Sequence, residues 1–310
     1  MSHQTLKIAL VQHRPVFQRL WESLQRLSHL AETARSQGAR LLIFGETWLT
    51  GYPAWIDHHP GMARWGESFT RQAFADMLCN AWARDGKADL FLRKLCQKLD
   101  IYLFLGVNER VGNGTLYNAL LLYGPNGRLQ VHHRKLMPTY TEKLLYASGD
   151  GAGLISTDTP YGKIGGLICW EHWMPLARQT MHETGEHLHV ALWPTVNELH
   201  QMASRHYAFE GRCYVVAAGQ MLQVSDLPDY FPPLPDRQPE DWLLRGGSAL
   251  IAPDGQYLLE PVYDREDILY HTMDDWSLLY QEQLTLDVTG HYARRDVFDL
   301  DVHRQRLDQR

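Results

Sequence analysis

The chain has 310 residues, 45% of them hydrophobic and 21% charged, with a formal net charge of −6. That balance excludes a disordered chain and provides no basic footprint for nucleic acid or an anionic membrane. No apolar stretch is long enough to cross a bilayer, and the start MSHQTLKIALVQ lacks a charged segment ahead of a long apolar core, so no signal peptide is expected. Cys79, Cys96, Cys169 and Cys213 lie far apart and form no CxxC pair, which fits free thiols in a reducing cytoplasm.

In chain order, residues 6–12 read as a strand and 17–37 as an amphipathic helix with Leu20, Leu24, Leu27 and Leu30 on one face. Gly38 ends that helix, and 39–44 form a second buried strand. Residues 47–66, TWLTGYPAWIDHHPGMARWG, make a long aromatic loop, with helical segments following over 68–99. Strands at 101–109 and 116–123 flank Gly112-Asn113-Gly114, a hairpin signal, and Pro125-Asn126-Gly127 turns the chain into a strand at 129–135. Further strands are expected at 164–168, 187–193 and 213–219, with a helix near 199–212. Residues 226–245 carry five prolines and exclude a regular element, as expected of a lid or contact surface. Strands at 247–253 and 257–263 flank Asp254-Gly255. Two strand-PxG-strand units, at 119–131 and 249–261, hint at two similar halves. The whole reads as mixed α/β: mixed sheets with helices outside, in one domain.

Polar residues stand where apolar strands end: Glu46 after LLIFG, Lys135 after QVHHR and Cys169 after IGGLI. In IGGLICWEHWMPLAR (164–178), Cys169 falls between a buried strand and a helical segment in whose first turn Pro175 is tolerable. Free backbone N–H groups there favour a thiolate and a nearby oxyanion. A buried cysteine is equally at home in a core, Glu46 on a loop and Lys135 at a solvated strand end. Brought together, the three form a chemical unit. The lysine lowers the thiol's pKa and stabilises developing charge, while the carboxylate takes the thiol proton and later activates water.

The stretches GETWLTGYP, HRKLMPTYTEK, GGLICWEHWMPLAR, ALWPT, GGSALIAPDG and GHYARRDVF occur in one order across nearly the whole chain. They resemble the carbon–nitrogen hydrolase superfamily, and the Cys-Trp-Glu triplet and Trp193-Pro194 resemble its nitrilase branch more than its amidases. The resemblance implies an α-β-β-α sandwich spanning 1–300, with 301–310 as a short tail. It also implies a Glu–Lys–Cys triad carried by Glu46, Lys135 and Cys169, with Glu142 as a second glutamate. No metal or organic cofactor is implied. The partners implied are a small-molecule nitrile and further copies of the chain, as a homodimer or a spiral homo-oligomer, with no nucleic acid or membrane. The tail motif departs from the family, with Arg295 where nitrilases usually carry proline, which bears on assembly rather than chemistry.

Trp170, Trp193, Tyr52, Tyr140 and His172 are candidates to line the substrate pocket, with core packing as the alternative for the aromatic residues. His172, three residues after Cys169, also offers a rival Cys–His pair. The adjacent pairs His58-His59 and His132-His133, and His187 with His189, lack the spacing of a metal site. Besides a nitrilase, two readings stand: an amidase or cyanide-hydrating relative on the same triad, and a non-catalytic filament protein.

Overall fold

In the computed structural model, which describes residues 4–59 and 61–307, the first strand β1 (Leu6–Gln12) is buried on both faces. Leu6, Ile8 and Leu10 enter the core between two sheets, whereas Ala9 and Val11 pack beneath α1 (Leu20–Ser36), whose buried stripe includes Leu20, Leu24, Leu27 and Leu30. The period-two alternation of a doubly covered strand therefore assigns each residue to one of two cores. β2 (Leu41–Phe44) repeats the division, with Leu41 and Ile43 on the inner side and Leu42 and Phe44 on the outer.

The short α2 (Trp55–His58), α3 (Ser68–Cys79) and α4 (Lys87–Leu99) precede β3 (Tyr102–Val111), β4 (Thr115–Tyr123) and β5 (Leu129–Arg134). Next come β6 (Thr157–Thr159), β7 (Gly162–Ile168), α5 (Pro175–His182), β8 (Leu188–Leu192), α6 (Glu198–Gly211), β9 (Tyr214–Ala218) and β10 (Met221–Gln223). The chain continues through β11 (Trp242–Ile251), β12 (Tyr257–Tyr263), β13 (Asp267–Met273) and α7 (Ser277–Glu282). One sheet runs β13-β1-β2-β3-β4-β5; the other runs β10-β11-β9-β8-β7-β6, with β12 also paired to β11. Both are mixed: β1–β2–β3 and β7–β8–β9 are parallel, and the flanking pairs are antiparallel. The sheets pack face to face, with α1 and α4 covering the first and residues of α5 and α6 joining the core of the second. This is the expected α-β-β-α sandwich. Gly166 marks how closely the sheets approach: a Cβ there would lie 3.1 Å from both Leu120 and Phe104 of the opposite sheet.

Four local departures from the sequence reading have physical causes. The first helix starts at Leu20, because Gln18 takes a left-handed conformation (φ 51°) just before it. The aromatic loop contains α2. Residues 242–245 of the proline-rich stretch are strand: the prolines end at Pro239, and Leu244 and Arg245 pair with β10. β13, half-exposed and carrying Asp267 and His271, escapes a hydrophobic pattern search and is recruited by antiparallel pairing with β1, Leu6 opposite Met273. Further on, the Leu307 N–H donates to Asp150 (3.0 Å) and Arg306 donates to the His132 carbonyl (2.5 Å), so these residues lie against the body of the fold.

Gly106 of β3 permits a close approach that sets up the site, since a Cβ there would overlap the Gly45 carbonyl and the Thr47 nitrogen on either side of Glu46. Both are backbone atoms with no rotamer to change. Gly106→Ala is expected to destabilise the fold by about 1–3 kcal/mol, measured by urea denaturation, through overpacking.

Candidate active site

Glu46 follows β2, Lys135 follows β5 and Cys169 follows β7, so each lies where a strand ends. The first two belong to one sheet and the third to the other; packing of the sheets brings the three ends together. Lys135 is held at its backbone by donating its N–H to the Asn118 carbonyl (2.8 Å) and accepting from the Gly149 N–H (2.8 Å).

The Lys135 ammonium is 1% exposed and donates to three carboxylate oxygens: Glu46 Oε1 (2.9 Å), Glu142 Oε1 (2.9 Å) and Glu142 Oε2 (2.8 Å). Glu142 also accepts from the Tyr52 hydroxyl (2.8 Å) and the Thr139 N–H (2.8 Å), so both its oxygens are doubly engaged. Glu46 differs. Its Oε1 also accepts from Asn118 Nδ2 (2.6 Å), yet its Oε2 is buried with no hydrogen-bond partner among the described residues. Burial pushes Glu46 up to about 7, and the nearby Glu142 adds to that, against the opposing pull of Lys135. Burial works against the Lys135 ammonium, but Cys169, Glu46 and Glu142 outweigh it and hold its pKa well above the ordinary value. The cluster thus holds a fixed cation, a saturated carboxylate and a carboxylate poised to gain or lose a proton near neutrality.

Cys169 is 3% exposed, lines a cavity of about 510 Å³ and feels the charges of Glu46, Lys135 and Glu142. Its backbone is left-handed, φ 53°, as are those of Thr47 (φ 50°) beside Glu46 and Tyr140 (φ 44°) beside Glu142. Left-handed non-glycine backbone at Cys169 and beside both Glu46 and Glu142 marks strain at each of these positions. Cys169 opens a 3₁₀ turn over Cys169–Trp173, and α5 begins only at Pro175, which occupies its first turn. The nearest donor is therefore the single Trp170 N–H and not the open end of an α-helix. Burial and the charge of Glu46 raise the Cys169 thiol well above its usual value, overriding Lys135 and the Trp170 N–H. Burial and charge thus oppose the resting thiolate that the sequence reading favours, and Glu46 Oε2 stands without a hydrogen-bond partner among the described residues.

Glu171 was not singled out from the sequence, yet it joins two of the three strand ends. Its carboxylate accepts from the Ile168 N–H (2.7 Å), next to Cys169, and from the Leu136 N–H (2.7 Å), next to Lys135. The His133 Nε2 lies 2.9 Å from the same group. Burial acts to raise Glu171, but His133 and the two backbone donors outweigh it and hold it below the usual carboxylate range. Asn118 and Gln220 were missed as well; Gln220 donates to the Glu46 carbonyl (2.7 Å). Their only sequence signal is polarity inside otherwise apolar runs.

Of the pocket candidates, Tyr52, Tyr140 and Trp170 line the cavity, together with His58, His200 and Arg245. Trp193 and His172 do not. Trp193 is fully buried with its Nε1–H donating to Ser204 (3.2 Å), and its ring stacks between His172 and His200 (centroids 4.9 and 4.4 Å). Being at the end of a central strand with both faces covered, it supports the pocket floor from behind. His172, 1% exposed, directs Nδ1 to the Cys169 carbonyl (2.7 Å) and Nε2 to His189 (3.0 Å), so neither nitrogen serves the thiol. Both nitrogens of the rival Cys–His base are engaged elsewhere. His132 and His133 point to opposite faces, one to Glu109 (2.9 Å) and the other to Glu171. Among the described residues, no group of three or more His, Cys, Asp or Glu is arranged to hold a metal ion.

The chain belongs to the carbon–nitrogen hydrolase family, whose sequence pattern matches residues 7–278. It is 38% identical over 303 residues to an aliphatic nitrilase of Sinorhizobium fredii (strain HH103), covering 96% of each chain. It is 32% identical over 307 residues to nitrilase 2 of Arabidopsis thaliana, covering 97% of this chain and 90% of that one. Its fold matches the crystal structure of a carbon–nitrogen hydrolase from Helicobacter pylori G27, with a TM-score of 0.71 at 18% identity, over 95% of this chain and 97% of that chain.

The staple role of Glu171 has a measurable consequence. Glu171→Gln presents an amide NH₂ to one of two backbone N–H donors, and the unmet buried group is expected to cost about 1–3 kcal/mol in urea denaturation. Unchanged stability would show that Glu171 is dispensable to the junction.

Proposed function

We propose that this chain is a nitrilase, converting an organic nitrile and two waters into the carboxylic acid and ammonia. The observation that carries this reading is the Glu46–Lys135–Glu142 array at 2.8–2.9 Å, electrostatically joined to a cavity-lining thiol. The names of the S. fredii and A. thaliana relatives support it, and the first favours aliphatic nitriles.

In this mechanism Glu46 Oε2 takes the Cys169 proton as sulfur attacks the nitrile carbon, and that proton is delivered to nitrogen, giving a thioimidate. Lys135 and the Trp170 N–H stabilise the charge that develops on the substrate. Glu46 then activates water; the adduct expels ammonia and leaves a thioester. A second water releases the acid and restores the thiol. Glu142 fixes the ammonium, with Tyr52 and Thr139 holding it in turn. A buried thiol that stays protonated at rest fits this scheme, because the nucleophile and the acid that protonates nitrogen are generated in the same step.

A homodimer or larger spiral homo-oligomer is supported by the exposed apolar residues Leu176, Leu199, Met202 and Phe209 on α5 and α6. A cytoplasmic location is supported by four free cysteines, and among the described residues no helix is long and apolar enough to cross a membrane.

Two measurements test the reading. Ammonia release is assayed over a graded panel of nitriles and the matching amides, for wild type and Cys169→Ala. Wild type is expected to turn over nitriles, and the variant to lose at least about 10⁴-fold in kcat. Turnover of amides alone would favour an amidase; equal ammonia release from both proteins would remove Cys169 from the chemistry. The second is the pH profile. Glu46 must be ionised to accept the thiol proton, so kcat/KM is expected to be level above pH about 7 and to fall tenfold per unit below it. An acid limb near the ordinary carboxylate value would place another group in that role.

A further inference from the structure

Behind the nucleophile, on the side away from the cavity, four buried side chains are linked in series. The Cys169 carbonyl meets His172 Nδ1 (2.7 Å), His172 Nε2 meets His189 Nε2 (3.0 Å), and His189 Nδ1 meets both Glu186 oxygens (3.0 and 2.9 Å). The Tyr207 hydroxyl donates to Glu186 Oε2 (2.7 Å), and its ring stacks on His189 with centroids 3.8 Å apart. None of these groups is used by the mechanism above. Room for the carboxyl group is made by Gly165 of β7, where a Cβ would overlap Glu186 Oε1.

The protons in this series can be assigned from one end. A carbonyl only accepts, so His172 Nδ1 is the donor to Cys169. A neutral His172 then has a lone pair at Nε2, which His189 fills with its Nε2–H. A neutral His189 is left with a lone pair at Nδ1, and among the described residues the neighbour placed to fill it is a carboxyl O–H of Glu186. Tyr207 donates to Oε2, which leaves Oε1 to carry the acid proton. Every group is neutral, and every bond points toward the Cys169 carbonyl.

We propose that Glu186, as a neutral carboxylic acid, with His189 and His172, forms a directed hydrogen-bond chain that pins the Cys169 carbonyl and holds the nucleophile in its left-handed conformation. The inference rests on the reading of Cys169 as the nucleophile. The neutrality on which the proton assignment relies follows from burial, which pushes Glu186 up to about 8, His172 down to about 3 and His189 well below its usual value. Glu186, His189 and His172 are positioning residues, since they act through the backbone of Cys169.

The test replaces the acid by an amide and by an apolar group. In Glu186→Gln the amide N–H donates to His189 Nδ1 and the carbonyl accepts from Tyr207, preserving every bond and its direction; Glu186→Leu breaks the chain. Two readouts are taken: kcat and KM on the preferred nitrile, and the rate of Cys169 alkylation by iodoacetamide, resolved from Cys79 by peptide mass. Glu186→Gln is expected to keep both rates within about threefold of wild type, and Glu186→Leu to lower kcat and alkylation about ten- to a hundredfold with KM little changed. If Glu186→Leu does not fold, Glu186→Gln and Tyr207→Phe decide, the latter expected to lower both rates several-fold. A loss in Glu186→Gln equal to that in Glu186→Leu would overturn the neutral chain, as would wild-type rates in Glu186→Leu or in Tyr207→Phe. The alkylation arm separates this proposal from the functional one. Slower labelling of Cys169 in Glu186→Leu supports the chain even if no nitrile is turned over, and nitrile turnover with unaltered labelling removes the chain alone.

Discussion

The burial of one ammonium between two carboxylates sets the terms for the rest of this site. Removing the Lys135 charge from water costs several kcal/mol after relaxation, and the expense is offset only where opposite charges and hydrogen bonds meet it closely. Glu142 does so completely, through both oxygens, and is itself fastened by Tyr52 and Thr139. Glu46 does so with one oxygen. Burial is the main reason its proton affinity rises toward neutrality, and the negative charge of Glu142 adds to it against the pull of Lys135. A carboxylate that titrates near neutrality follows from three charges in a dry place.

The same economy governs the sulfur. Burial favours the protonated Cys169 thiol, and a thiolate beside an ionised Glu46 would put a further negative charge into the cluster. What the fold supplies instead is position. Cys169 is held in a left-handed turn by bonds on both sides of its own peptide units: Glu171 binds the N–H before it, and His172 binds its carbonyl. Glu171 reaches across to the N–H after Lys135, so the Cys169 and Lys135 strand ends share one staple. Glycines at positions 106 and 149 let neighbouring backbone pass close beside Glu46 and Lys135, where a larger residue would force them apart.

The cavity is bounded by segments distant in sequence: the loop around Tyr52, the turn at Tyr140, Trp170 after the nucleophile, His200 on α6 and Leu243–Arg245 on β11. The proline-rich stretch before β11 packs through Phe231 onto neighbouring aromatic residues, its ring 5.5 Å from that of Trp55 and 6.0 Å from that of Phe69. Its irregularity is what allows it to follow the aromatic surface of the 52–69 segment. Loops, α6 and β11 together bound the cavity, while Glu46, Lys135 and Cys169 lie at strand ends.

Much of this was legible in the sequence. Runs such as LKIALVQ and LLIF are apolar on both faces, and only a strand inside a layered α/β fold uses such a pattern; the order of motifs then supplied the sandwich. Glu46, Lys135 and Cys169 stand out as polar groups ending apolar strands, but each alone fits a loop, a solvated strand end or a core, and it is the resemblance that joins them. Edge strands such as β13 were not legible, since half-exposed pairing leaves no periodic signal. Nor were Glu171, Asn118 and the His172–His189–Glu186 series, because a buried hydrogen bond is defined by its partner, and these partners lie from 3 to 72 residues away along the chain. The sequence by itself determined which side chains are present and which strand ends they occupy. Only the tertiary structure decided their protonation and aim, because both depend on burial and on the distances between charges, and neither quantity exists until the two sheets have packed.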